Sequence, residues 1–281
     1  MKERITLTID EKILENVDRL VDGINVRNRS HAIELILSKY MNFRELNTAL
    51  ILCGGKGTRL RPITYETPKA LVPVHGKPLI EHLFDLLKKY GVDDIVLSVG
   101  HMKEKIINEK GSWSRLGLNI SFVEEGKPLG TGGPLRLARG KLTKTFIVSN
   151  GDELKNINVV DMYESHKKNR ALATIALTTV KDPSRYGVAR LEGNRIIEFV
   201  EKPRKDKTPS NLINAGFYLL EPEVIDMIPK KGFSMLEKDV FPELAKQGRL
   251  FGFPFSGQWF DTGNLERYER ALKEWRGIKL E

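Results

Sequence analysis

The sequence predicts an α/β protein in which a mostly parallel, mixed sheet of doubly wound type follows a small β-α-α unit. Two patterns carry this expectation. From residue 48 onward, short apolar runs alternate with amphipathic segments, as βαβ units require. In residues 1–45 one alternating run precedes two helical ones, a separate arrangement. The length of 281 residues accommodates one large domain with a small appendage, so boundaries of 1–45 and 46–281 are expected.

The first element is "RITLTI" (4–9), whose polar-apolar alternation predicts a strand buried on one face. Asp10 then caps a helix through "EKILENVDRLVDG", with Ile13, Leu14, Val17, Leu20 and Val21 at helical spacing and Gly23 as its stop. Ser30 caps a second helix, "HAIELILSKYMN". One strand and two helices cannot close a core alone. With "R-x-T-L-x-I-D" and "N-R-S-x-A-I" at matching positions, the unit resembles the ribbon-helix-helix family. That resemblance implies pairing of two chains through their strands, hence a homo-oligomer (dimer or tetramer). Arg4, Thr6 and Thr8 would then be the outward strand residues that face DNA bases, with a phosphate near Arg29 and Ser30. Eight Lys/Arg balance eight Asp/Glu in residues 1–45. That neutrality weighs against strong DNA binding, which draws its affinity largely from phosphate neutralisation. Pairing alone, DNA binding and neither of the two all stay open.

The remaining chain carries the whole formal excess of +9, which suits a phosphate-rich ligand. Strands are expected at "TALILC" (48–53), "DIVLSVG" (94–100), "NISFVEE" (119–125) and "TFIVSNG" (145–151), with helices at 77–91 and 159–169. The later runs "ATIALTTV", "GVARLEGNRIIEFVEKP" and "NAGFYLLEP" predict a second lobe over the mouth of the sheet. No stretch reaches the roughly eighteen apolar residues of a membrane helix, and the acidic N-terminal segment is unlike a secretory signal. No membrane association is expected. The single cysteine, Cys53, excludes an internal disulfide and fits the cytoplasm, and it reads as a packed strand residue.

Four features fall beyond predicted strand ends, where open parallel sheets bind ligands. In "CGGKGTRLRPITYETPK" (53–69), Gly54, Gly55 and Gly57 let backbone amides approach phosphate oxygens. Arg59 can grip phosphate bidentately and Lys69 adds a second cation. In "SNGDEL", Asp152 stands where a carboxylate can hold Mg²⁺, or can simply cap a turn. In "QWFDTGNLERY", Asp261 stands similarly, as a metal ligand or as the cap of the helix that follows. "EEGKPLGTGGPLRLA" (124–138) is a glycine-rich turn able to pack against a flat ring or its ribose.

These pieces, with "PLGTGG", "NGD", "YGVARLE", "EKP", "NAGFYLL" and "WFDTGN" in order over residues 48–275, resemble the sugar-1-phosphate nucleotidylyltransferase family. The resemblance implies a Rossmann-like nucleotidyltransferase that joins an NTP to a sugar 1-phosphate and releases pyrophosphate. It implies Arg59, Lys69, Asp152 and Lys202 as catalytic residues. Gly54, Gly55, Gly57, Thr58, Glu125, Gly130 and Thr131 would bind nucleotide. Gly151, Gly187, Glu201, Lys202, Asn214 and Gly216 would bind the sugar phosphate, and Asp152 and Asp261 would share Mg²⁺.

The family often has D-I-G-T-P where this chain has D-T-G-N-L. Many relatives continue into a left-handed β-helix, whereas this sequence ends about 20 residues past Asp261, so no such second domain is expected. The Leu-Gly-Thr turn at 129–131 resembles the guanylyl and uridylyl branches. GTP with mannose 1-phosphate or a related sugar phosphate is the first expectation, and UTP or dTTP with glucose 1-phosphate the second. The rival reading is a DNA-binding regulator whose large domain senses a nucleotide sugar. Retention of both aspartates, Arg59 and Lys69 favours the enzyme.

Overall fold

The structure, a computed structural model, describes residues 5–43 and 45–278. The chain forms two compact units, Met1–Glu45 and Leu46–Glu281.

In the first unit, helices α1 (Glu11–Asp18) and α2 (Arg29–Phe43) follow one another. Asp10 caps α1 as expected, its carboxylate accepting from Lys12 N at 2.9 Å. The helix ends at Asp18 rather than at Gly23. The Asp22 carboxylate accepts from the amides of Ile24, Asn25 and Val26 and folds them into a turn that opposes helix continuation. The cap of α2 is Asn28, not Ser30: its side chain accepts from His31 N at 2.9 Å. Arg29, expected near a DNA phosphate, instead pairs with Asp18 at 2.5 Å.

Of the strand predicted over 4–9, the described residues 5–9 form no strand. Residues 5–9 have no ladder within the chain, Thr6 and Thr8 are exposed, and Arg4 lies outside the described residues. A strand exists only through hydrogen bonds to a neighbour, and alternation in a sequence cannot supply one.

Among its described residues the second unit is built on thirteen strands: β1 (Thr48–Leu52), β2 (Pro73–Val74), β3 (Lys77–Pro78), β4 (Asp94–Val99), β5 (Asn119–Glu124), β6 (Phe146–Asn150), β7 (Glu153–Lys155), β8 (Ala173–Thr179), β9 (Gly187–Glu192), β10 (Arg195–Glu201), β11 (Leu212–Leu220), β12 (Leu250–Pro254) and β13 (Trp259–Asp261). The helices are α3 (Leu79–Lys89), α4 (Lys103–Asn108), α5 (Lys110–Arg115), α6 (Gly133–Leu137), α7 (Val159–Lys168), α8 (Phe241–Lys246) and α9 (Leu265–Glu274).

Nine strands make one mixed sheet in the order β5-β4-β1-β6-β11-β8-β12-β10-β9. Pairings β4–β5, β1–β4, β1–β6 and β8–β12 are parallel, whereas β11 is antiparallel to both neighbours. Ala49, Leu50 and Ile51 are fully buried, as the uninterrupted apolar run of a central parallel strand demands.

The later strands therefore do not form a second lobe. β11 joins the ladder directly, Phe217 opposite Ser149 and Leu220 opposite Phe146, so β8–β12 extend the same sheet. An antiparallel insertion leaves no mark in the period of apolar residues, which is why the pattern alone misassigns it. A separate apolar cluster unites Leu60, Val74, Leu154, Phe260 and Trp275, drawing the chain after β1, both strands of the β7–β13 ribbon and the segment after α9 together.

The sheet end remote from the carboxyl termini of β1 and β6 is tied by Glu221. Its carboxylate accepts from Thr145 Oγ1 at 2.9 Å and from Lys167 Nζ and His166 Nε2 at 3.2 Å each. Burial raises this carboxyl, but the bonds from His166 and Thr145 outweigh it and hold the pKa at about 2. A folded pKa below the unfolded value stabilises the fold above about pH 4.5, and the contribution is lost as pH falls toward about 2. Glu221→Gln is expected to cost about 2–3 kcal/mol at pH 7 and to flatten the acid limb of stability between those values. Denaturant titrations across pH check this, and parallel pH profiles for the two proteins would contradict it.

Candidate active site

The chain runs from β1 outward to β4 and β5, then returns to β6 on the other flank of β1. That reversal opens a crevice beyond the carboxyl ends of β1 and β6. A cleft of ≈ 550 Å³ occupies it.

The glycine loop after β1 supplies one wall through Gly54, Gly55, Gly57, Thr58 and Arg59. Gly57 has φ +61°, and a Cβ there would press on Thr64 Cγ2 at 2.9 Å and Lys69 Cβ at 3.2 Å. Its carbonyl accepts from Thr64 Oγ1 at 2.7 Å and Leu60 N at 2.9 Å, which turns the loop back toward Lys69. Glu125, Gly130 and Thr131 supply the facing wall, and Gly151 and Asp152 the end of β6. All the residues expected around a nucleotide thus meet at one cleft. Lys56 lines it as well. Arg59 and Lys56 are exposed, and neither has a carboxylate partner among the described residues.

Lys69 and Asp152 pair across the cleft at 2.5 Å. The lysine side chain is 10% exposed and the carboxylate 37%, so Asp152 opens to the cleft while its partner is covered. Burial raises the Asp152 carboxyl, but the charge and hydrogen bond of Lys69, with Lys155 behind it, bring it below the usual carboxylate range. Cys53 beside them is buried, and burial pushes its thiol far up, so it packs rather than reacts.

Asp261 ends β13, and the antiparallel β7–β13 ribbon sets it opposite Glu153, one residue from Asp152. Thr262 Oγ1 also donates to Asp152 O at 2.7 Å. The helix cap is Asn264, which accepts from Arg267 N at 2.9 Å, leaving the Asp261 carboxylate free of that task. Asp261 instead pairs with the Arg267 guanidinium and accepts from Tyr186 OH at 3.2 Å. It lines a second cleft of ≈ 750 Å³ with Tyr186, Trp259 and Arg267.

The residues expected around the sugar phosphate line neither cleft, except Gly151. They form two clusters. Glu201 faces Gly187 across the β9–β10 hairpin and pairs with Lys202 Nζ at 2.9 Å. Lys202 has φ +49°, a left-handed conformation that costs a non-glycine residue about 1–2 kcal/mol. Asn214 and Gly216 occupy the irregularity of β11, where Asn214 Oδ1 accepts from Gly216 N at 2.8 Å.

Sequence reasoning missed two buried groups between these clusters. Lys155 Nζ, fully buried, donates to Gly216 O at 2.9 Å and Glu153 Oε2 at 3.1 Å. Glu237, with its carboxyl raised by burial, accepts from Thr131 Oγ1 at 2.5 Å and Tyr218 OH at 3.2 Å. A buried charged residue has no periodic signature, so only the three-dimensional placement reveals them.

Among the described residues no group of three or more His, Cys, Asp or Glu could hold a metal ion, and no helix is long and apolar enough to cross a membrane. Asp152 lines the first cleft and Asp261 the second, each paired with a cation.

Residues 48–276 match the model of the nucleotidyl transferase family. A probable mannose-1-phosphate guanylyltransferase 1 of Oryza sativa subsp. japonica is 42% identical over 232 residues, 80% of this chain and 63% of that protein. The mannose-1-phosphate guanyltransferase of Yarrowia lipolytica is 44% identical over 220 residues, 76% of this chain and 60% of its own length. The chain thus spans about three fifths of the length of these curated relatives. A crystal structure of a putative glucose-1-phosphate thymidylyltransferase from Bacillus anthracis, in complex with a sucrose, superposes with a TM-score of 0.76. It is 29% identical, and the match covers 83% of this chain and 96% of that one. The family match runs unbroken from β1 past α9, and the chain belongs to the nucleotidyl transferase family.

Proposed function

We propose that this chain transfers a nucleoside monophosphate from an NTP to a sugar 1-phosphate, with GTP and mannose 1-phosphate or a related sugar phosphate as its substrates. The observation that carries the reading is the cleft at the sheet reversal, where a glycine loop, Arg59, Lys56 and Lys69 meet the carboxylate of Asp152, with Glu125 on the facing wall. The names of the relatives at 42% and 44% identity support guanine and mannose over the alternatives.

The sugar phosphate is already an anionic nucleophile, so the reaction needs no general base. One of its oxygens attacks the α-phosphorus in line, the bond to the β-phosphate breaks, and the electron pair leaves with pyrophosphate. The obstacle is electrostatic: unit charges about 4 Å apart repel by roughly 4 kcal/mol at an effective dielectric of 20. Catalysis is therefore positioning and charge neutralisation. In this reading Arg59 and the amides of Gly54, Gly55 and Gly57 hold the outgoing pyrophosphate end. Lys69 exchanges Asp152 for the phosphates at the reacting phosphorus. Lys202, Glu201, Asn214 and the backbone at Gly187 and Gly216 hold the sugar phosphate. Asp152 and Asp261 would bind Mg²⁺, which when present neutralises charge on both substrates. In the free protein each aspartate is already paired with a cation, Lys69 or Arg267. Each pair engages one carboxylate oxygen, Oδ2 of Asp152 and Oδ2 of Asp261, so the cation competes with any other ion for that carboxylate.

Pyrophosphate release over a matrix of NTPs and sugar 1-phosphates with Mg²⁺ tests the reading, with GTP and mannose 1-phosphate expected to give the highest rate. No release from any pair would sink it. Asp152→Asn is expected to lower kcat on the order of a hundredfold or more while moving the NTP dissociation constant far less. An unchanged rate would remove Asp152 from the reacting centre.

For residues 1–45 we infer pairing between two copies. Ile5, Leu7, Ile13, Leu20 and Ile24 are exposed at 51–83%, an apolar surface that a second copy pairing through residues 4–9 would cover. Their balanced charge gives DNA binding less support. Deleting residues 1–45 is expected to reduce the mass measured by light scattering, and an unchanged mass would contradict the pairing.

A further inference from the structure

Phe233 is 63% exposed, more than any other large hydrophobic side chain described between residues 46 and 278. Leaving such a ring in water forfeits about 1.5–3 kcal/mol of burial. Its surroundings are not loose. Ser234 N donates to Leu129 O at 3.0 Å, and Gly132 N donates to Ser234 O at 2.9 Å, a two-bond bridge to the glycine-rich turn. Arg136 Nη2 donates to Gly232 O at 2.6 Å on one side of the ring. On the other, Asp239 Oδ2 accepts from Ser234 Oγ and from Met235 N, each at 2.8 Å. The backbone carrying the ring is thus fixed against residues 129–136, while the ring itself stays in solvent.

The ring borders the first cleft beside Gly130 and Thr131, on the wall facing the glycine loop. Gly130 has φ +77°, and a Cβ there would collide with Ser234 O and approach the Phe233 ring tip at 3.2 Å. The absence of a side chain at Gly130 therefore lets the Phe233 segment close directly onto the turn. Pro128 and Pro134 complete an apolar rim. The cations Lys56, Arg59 and Lys69 belong to the loop after β1 and the segment that follows it, so phosphates are drawn to that wall.

We propose that Phe233 is a stacking surface for the nucleobase of the bound nucleotide, an inference that rests on the nucleotide reading of this cleft. Every base has a π-face, so stacking adds affinity without choosing among bases. Phe233 then strengthens binding of any NTP, and discrimination lies with polar groups of the turn.

The test is calorimetric titration of the full chain with GTP, UTP and inorganic triphosphate, without sugar phosphate. Phe233→Ala is expected to weaken both nucleotides by about 5- to 100-fold, to keep their order and to leave triphosphate unchanged. Phe233→Trp is expected to match or exceed the wild type. Unchanged nucleotide affinity in Phe233→Ala would overturn the inference, as would an equal loss for triphosphate, which has no base. If wild-type protein bound neither nucleotide nor triphosphate, the cleft reading would fall and this inference with it.

Discussion

The reaction proposed here brings two polyanions together, and the site follows from that repulsion. Lys69 and Asp152, 2.5 Å apart, are its centre. A covered lysine lowers a carboxyl that burial would raise, so negative charge stays beside the glycine loop. The pair also spares the free protein an isolated buried charge, whose cost would be several kcal/mol. Asp261 repeats the device with Arg267. Two carboxylates each held by a cation can be one residue apart across a ribbon without repelling the fold open.

The architecture holds these groups by apolar anchoring of their neighbours. Leu154 and Phe260, next to Glu153 and Asp261 in the ribbon, are sunk in the cluster that also receives Leu60 from the glycine loop. Loop and ribbon consequently share one small core, so displacing either one moves the glycine loop and the carboxylates together. On the other side, Lys155 donates to the carbonyl of Gly216 and so connects the ribbon to the irregular part of β11 where Asn214 stands. The residues expected to read nucleotide and sugar thus lie on different elements of one sheet.

The glycine loop, Lys69 and Asp152 were legible in the sequence because backbone approach to phosphate and a carboxylate at a strand end both demand fixed residue types at fixed spacing. The course of β11 was not, since an antiparallel strand inserted into a parallel sheet has the same apolar run as a strand in a separate lobe. Residues 4–9 alternate as a strand should, yet the described residues 5–9 form none within the chain, because a ladder needs a partner that alternation does not encode. Asp261 looked equally like a cap, and only the bond from Arg267 N to Asn264 assigns that role elsewhere. Phe233 gave no signal at all, as a lone aromatic in a lysine-glycine turn is indistinguishable from a chance surface residue.

The central claim is that Lys69 holds Asp152 through Oδ2 and competes with any other ion for that carboxylate. Titration of nucleotide-free protein with Mn²⁺, read by electron paramagnetic resonance, tests this most directly. The account predicts weak binding by the wild type and tighter binding by Lys69→Met, whose Asp152 has lost its cation. Equal affinity in the two proteins would contradict it.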